Sequence, residues 1–216
     1  MRISELSATS GVPIPTIKYY LREGLLPQGE HTGATRAEYG DTHLRRLRLI
    51  RALLEVGRLP VAAIGKIVAA VEDEETPVHR MLGTAHYALS PPVETDPADE
   101  VYGAARERVD RLIDGLGWQV TRGAPTRDEL AQVLMRLEQL GRAADEDELR
   151  HYAETVMGLV AAYEMGKVPM DGPREVAVES LVVGTVLYGK VFDVLRRIAH
   201  ESASARLLGI PPEPDA

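Results

Sequence analysis

Thr16, Lys18, Tyr19, Tyr20 and Arg22 lie within two turns of one short candidate helix. These are side-chain types that meet nucleic acid. Lys and Arg neutralise phosphates, and Thr and Tyr hydroxyls hydrogen-bond to phosphate oxygens or base edges. The surrounding run is Gly11-Val-Pro-Ile-Pro-Thr-Ile-Lys-Tyr-Tyr-Leu-Arg-Glu-Gly-Leu-Leu26. Its apolar residues Ile14, Ile17 and Leu21 recur at helical spacing and predict one buried face, leaving the polar groups for the others. Gly11 follows the small Ser7 at the spacing of a tight helix–helix turn, and Gly24 stops the second helix. A helix-turn-helix presents its second helix to a DNA groove in this way. A second basic group, Arg45, Arg46, Arg48 and Arg51, falls on the next predicted helix.

Several elements must position these residues. A short helix is expected over 3–9 and the second over 15–23, with Pro13 and Pro15 in the loop and first turn, where a missing N–H costs little. Residues 25–39, with Pro27, Gly29 and Gly33, read as a hairpin or loop, a wing beside the helices. Asp41 or Thr42 is the expected cap of a helix over 43–56. Its core stripe is Leu44, Leu47, Ile50 or Leu49, and Leu54, and its stop is Gly57. Pro60 opens a further helix to Val71, with Val61, Ile64, Ile67, Val68 and Val71 inward.

Beyond Val71 the character changes. Glu72-Asp-Glu-Glu75 is acidic, a short helix is expected over 78–89, and Ser90-Pro-Pro-Val-Glu-Thr-Asp-Pro97 reads as a linker. Helical patterns follow over 98–116, 126–140, 145–165 and 174–203, with Thr126 and Glu129 at capping-box spacing. Residues 176–199 are apolar on most sides and predict a helix buried within the domain or between subunits. The expected fold class is mainly α: a winged helix-turn-helix DNA-binding domain over 1–71, an acidic, Pro-containing connector over 72–97, and an all-helical effector or dimerisation domain over 98–216.

Charge sharpens the division. The net charge of the 216 residues is −8, yet residues 1–71 hold 10 Lys/Arg against 6 Asp/Glu and the remainder 15 against 27. A front end of +4 therefore precedes a body of −12. DNA affinity follows local positive charge at the contact face. The absence of Cys removes disulfides, thiolate metal sites and thiol nucleophiles, and fits a reducing cytoplasm. No apolar run of signal length opens the chain, and Glu179, Lys190, Asp193, Arg196 and Arg197 interrupt its most apolar segment, against a membrane span.

His79 and His86 lie seven apart and Glu148 stands three before His151. A di-iron bundle needs two such Glu/His pairs and two further carboxylates, so no metal and no cofactor is expected. Glu154, Glu164 and Glu179 are scattered, and no nucleophile triad or phosphate-binding Gly loop accompanies them. No enzyme is expected.

The ordered string Ile3, Glu5, Leu6, Gly11, Val12, Thr16, Ile17, Lys18, Tyr19, Tyr20, Gly24, Leu25, Leu26, Arg36, Tyr39, Leu44, Arg46, Leu47, Ile50 and Gly57 resembles the MerR family of bacterial transcription regulators. The likeness is collinear over about the first 70 residues. It departs from the family pattern in three places. Lys18 stands where Arg is usual, which loses a bidentate contact. Ala37 fills the usual wing Arg slot, with Arg36 beside it. Residues 72–97 hold no long dimerisation helix, so a dimer would have to use other helices.

The resemblance implies a homodimer on pseudo-palindromic double-stranded promoter DNA that bends and untwists an over-long spacer, acting on RNA polymerase indirectly. Deforming such a site costs about 1–6 kcal/mol. Thr16 and Lys18 would reach the groove or adjacent phosphates, with Arg22 on the same helix. Tyr19, Tyr20, Arg36 and Tyr39 would hold phosphates, Tyr20 having an alternative place in the core. Arg45, Arg46 and Arg48 would clamp the flank or form a solvated face. A small apolar effector is expected in the helical half, where Trp118, Tyr152, Tyr163 and Tyr188 are the aromatics available for a pocket. The alternative is an effector-independent repressor that occludes the promoter, its helical half used only for dimerisation.

Overall fold

The computed structural model describes residues 1–33, 36–93 and 99–210, with backbone alone at 32, 33 and 36. The fold is mainly α. Helices α1 (Ile3–Ser10) and α2 (Ile14–Arg22) precede an antiparallel pair, β1 (Glu30–Gly33) and β2 (Arg36–Glu38). There follow α3 (Asp41–Glu55), α4 (Val61–Glu72), α5 (Val78–Leu89), α6 (Glu100–Gly115), α7 (Pro125–Gln139), α8 (Glu146–Leu159), α9 (Arg174–Val182) and α10 (Gly189–Leu207). Val160–Glu164 extends α8 as a π-helical turn, and Val183–Tyr188 joins α9 to α10 in the same way. No helix among the described residues is long and apolar enough to cross a membrane.

Two compact units emerge, residues 1–68 with 179–216, and residues 69–178. The sequence-based division at 72, 97 and 98 groups the chain differently, because the last helical segment packs with the N-terminal residues.

The helix-turn-helix is built by local chemistry. Gly11 adopts φ +70°, a conformation that strains any residue with a Cβ. Its N–H donates to Ser7 O at 2.9 Å, and the Ser7 hydroxyl donates to Val12 O at 2.7 Å. Pro13 caps α2 and Pro15 lies in its first turn. At the other end Gly24 turns left-handed, so that Leu25 and Leu26 N–H both return to Tyr20 O. Leu6, Ile17, Leu25, Leu26, Leu47, Ile50 and Leu53 are all almost fully buried in this unit. The strand register is Glu30↔Glu38, His31↔Ala37 and Gly33↔Arg36, with an irregularity between His31 and Gly33.

The second unit has its own core, Ala105, Val109, Ile113, Ala131, Leu134 and Met135 from α6 and α7. A buried arginine braces it. Arg127 donates to Thr121 O, Val120 O and the Asp110 carboxylate, so all its polar ends are occupied. Arg174 plays a similar part at the start of α9, donating to the carbonyls of Val71, Asp73 and Thr76.

Two expectations are corrected. The cap of α3 is Gly40, whose N–H donates to His43 Nδ1 at 3.1 Å, and Asp41 and Thr42 lie inside the first turn. Helix α7 is capped by Ala124 with Pro125 first, placing Thr126 within the helix and not at its boundary. Within one chain the apolar segment 176–199 is buried only in its first part. Ala177, Val178, Leu181 and Val182 are enclosed, whereas Val191, Phe192, Leu195 and Ile198 are exposed on α10. An all-round apolar run marks a helix that wants cover, and one chain covers only half of it.

Candidate nucleic-acid interface

Helix α2 divides its side chains by face. Ile17 and Tyr20 point into the core, Tyr20 only 6% exposed. Burial raises the Tyr20 hydroxyl above the ordinary tyrosine value, with Tyr19 and Glu55 adding to it. The outer faces carry the exposed Lys18 and Arg22 and the half-buried Thr16 and Tyr19. The Arg22 guanidinium sits 5.3 Å over the Tyr19 ring centroid and also pairs with Glu23 at 3.2 Å. That stacking orders both side chains at the surface. Lys18 is exposed and makes no ion pair among the described residues.

The other candidate residues fall in distinct settings. Tyr39 is buried, its ring edge-on to His43 with centroids 5.2 Å apart. Its main chain holds the start of the protein, since the Met1 ammonium donates to Tyr39 O at 2.7 Å. The backbone of Arg36 lies in β2, and its side chain is outside the described residues. Arg45 is exposed on α3 and paired with Glu179 at 3.3 Å. Arg46 is half-buried and Arg48 exposed. Arg51 works internally. Its Nη1 donates to Ser10 O at 3.3 Å and its Nε to Glu55 at 2.9 Å, tying the end of α1 to α3.

Thr16, Lys18, Tyr19 and Arg22 thus share one element, Arg45 and Arg46 another, while Tyr20 and Tyr39 hold both elements from beneath. Sequence reasoning named Glu179 and Gly57 but gave neither a partner across the chain. The first pairs with Arg45 from the far end of the chain. A Cβ on the second would clash with Val186 Cγ1. No local pattern reveals a partner so distant in sequence.

In the second unit, Trp118 packs against the α6–α7 core. Tyr152 and Tyr163 are 51% and 66% exposed. A cavity of about 90 Å³ in this unit is lined by Arg108, Arg111, Leu112, Glu146, Leu149 and Arg150, and none of the expected aromatics lines it. Tyr188 belongs to the first unit and is also largely exposed.

Residues 1–71 match the model of the MerR helix-turn-helix regulatory protein family. The chain is 35% identical over 74 residues to a mercuric resistance operon regulatory protein of Bacillus cereus, covering 34% of this chain and 55% of that one. It is 36% identical over 50 residues to an HTH-type transcriptional regulator ZntR homolog of Haemophilus influenzae, covering 23% of this chain and 37% of that one. The chain therefore spans about half or less of these relatives' own length, and its remaining residues lie outside both alignments.

One likeness covers the whole length. A crystal structure of SCO5550 from Streptomyces coelicolor A3(2), a candidate transcriptional regulator, superposes with a TM-score of 0.74 at 38% identity, over 99% of this chain and 100% of that one. The curated relatives are transcription regulators, not enzymes. The likeness of the first 71 residues and the geometry of their helix-turn-helix agree, and residues 1–71 are a MerR-family helix-turn-helix domain.

Proposed function

We propose that the protein is a homodimeric regulator that binds and distorts promoter DNA through α2. The observation that carries this reading is the outward set of exposed Lys18 and Arg22 with half-buried Thr16 and Tyr19, backed by the buried Ile17 and Tyr20, on the second helix of a MerR-family domain. Thr16 and Lys18 read the groove or its adjacent phosphates. Tyr19 and Arg22 set register on the backbone, and Arg36, Arg45 and Arg46 add flanking phosphate contacts. Tyr20 and Tyr39 support the interface from the core.

The C-terminal helix favours a second copy as partner. Tyr188, Val191, Leu195 and Ile198 recur at three- and four-residue steps along its exposed side. Two-fold half-sites then match a two-fold protein. The protein acts on RNA polymerase through the promoter, in the cytoplasm, without a cofactor.

Footprinting with purified protein on genomic fragments, followed by permanganate reactivity and transcription on the strongest site, tests this. A palindrome inside an over-long promoter spacer, with unpaired or kinked central base pairs, is the expected result. Protection that overlaps the promoter without central distortion would replace distortion by occlusion. One observation favours that second reading, in which no effector acts. Tyr152 and Tyr163 face solvent and the partly buried Trp118 packs against the α6–α7 core, so these three aromatics do not converge on one enclosed pocket within one chain. If a small apolar effector acts, it binds where a second copy covers those rings.

A further inference from the structure

We infer that Glu179 is an internal competitor for the DNA backbone, holding Arg45 in an ion pair that a phosphate must displace. This rests on the DNA-binding reading of the N-terminal unit. The Arg45 Nε lies 3.3 Å from Glu179 Oε2, with the two side chains 53% and 27% exposed. Arg45 is accessible to a ligand, and Glu179 is the more enclosed and better fixed partner.

The C-terminal segment is seated firmly enough to hold it. Leu181 and Val182 are buried just beyond Glu179, and the following turn packs on α3. There Val186 approaches so closely that only a glycine at 57 leaves it room. Glu179 is therefore a fixed charge set against a basic helix, one that belongs otherwise to an acidic stretch of chain.

The consequence follows from counterion release. A basic side chain already paired with a carboxylate condenses no phosphate until that pair opens, so it contributes less to affinity and to salt dependence. An exposed pair is weak, so a phosphate can win, but at a cost that the position of α9 sets. Anything that shifts α9 away from α3 frees Arg45 and raises affinity without touching the recognition helix. The C-terminal segment thus has a direct electrostatic line to the DNA-binding face.

The test is a salt-dependent DNA-binding series with the full chain. It compares wild type, Glu179→Gln, Arg45→Gln, the double variant, and Lys18→Gln, with melting curves to confirm folding. Glu179→Gln should bind any duplex about 2- to 5-fold tighter at low salt, and steepen the slope of log K against log salt by up to about 0.9. The gain should vanish when Arg45 is already Gln, because a double-mutant cycle isolates the pair from general charge.

An unchanged Glu179→Gln overturns the inference, and so does a gain that persists in the Arg45→Gln background. Failure of the underlying reading looks different. Lys18→Gln would then bind as tightly as wild type, or wild type would bind no duplex, and either result overturns both.

Discussion

At the residue scale, neighbouring aromatic and basic side chains on α2 do different work, and single substitutions separate it. Tyr20 is enclosed and its ring completes the core beneath the recognition face. Tyr20→Ala should cost about 3–5 kcal/mol of stability, read by urea unfolding, because it leaves a cavity under α2. Lys18→Gln should leave unfolding unchanged and lower the salt slope of DNA binding by about 0.9, the loss of one phosphate contact. A sequence lists both residues as polar or aromatic groups on one helix. It shows the difference only through spacing, since Tyr20 stands three residues after the buried Ile17.

Arg127 had no such signature. It reads as a surface arginine near a helix start, yet only 2% of its side chain is exposed. Breaking this bond set by Arg127→Ala should destabilise the second unit by about 1–3 kcal/mol, since the Thr121 and Val120 carbonyls lose their donor. The acid limb supplies a second readout. Burial alone would raise the Asp110 carboxyl, but hydrogen bonds and charge from Arg106 and Arg127 outweigh it and hold it below the usual carboxylate range. A carboxylate depressed in the folded state stabilises the protein above its unfolded value, about 3.9. That contribution is lost as pH falls through the lower folded value. Asp110→Asn should therefore flatten the loss of stability below about pH 4, measured by denaturant unfolding at stepped pH.

At the element scale, periodicity and punctuation made most boundaries legible. Helix α5 runs over 78–89 and α2 and α4 start and end within a residue of the apolar pattern, because Gly24, Pro60 and Pro77 interrupt the ladder where the pattern stops. The caps were less legible. Asp and Thr are good caps anywhere, but His43 reaches back to Gly40 and takes the position first.

The π-helical turns at 160–164 and 183–188 left no trace in the sequence, since an inserted residue preserves composition and only shifts the stripe. The second of these turns carries Val186 onto Gly57. Gly57→Ala should cost about 1–3 kcal/mol through overpacking against Val186 and Leu53 O. Val186→Ala in the same chain should recover part of it, and equal losses with and without that second change would mean that the carbonyl, not Val186, is the obstacle.

At the scale of the whole molecule, the exposed side of α10 asks for a second chain. Its apolar residues read equally well as a buried core helix in the sequence, because hydropathy records that a face needs cover and not whose atoms provide it. Leu195 and Ile198 are 58% and 54% exposed in one chain, and Val191 and Phe192 flank them. Burying such a stripe against its copy removes apolar area from water on both helices at about 25 cal/mol per Å². Ser202 and Ala205 continue the same spacing with small side chains, which lets two helices approach closely. Leu195→Glu with Ile198→Glu places like charges in that seam. The expected outcome is a dimer mass for wild type and a monomer mass for the variant in light scattering, with helical content by circular dichroism unchanged. DNA binding should then weaken far more on a two-half-site duplex than on a single half-site, because linked half-sites bind at an effective concentration that separate chains lose. A variant that keeps the dimer mass would move the seam to another face. The apolar side of α8, where Tyr152, Val156 and Met157 are exposed, is another such surface among the described residues.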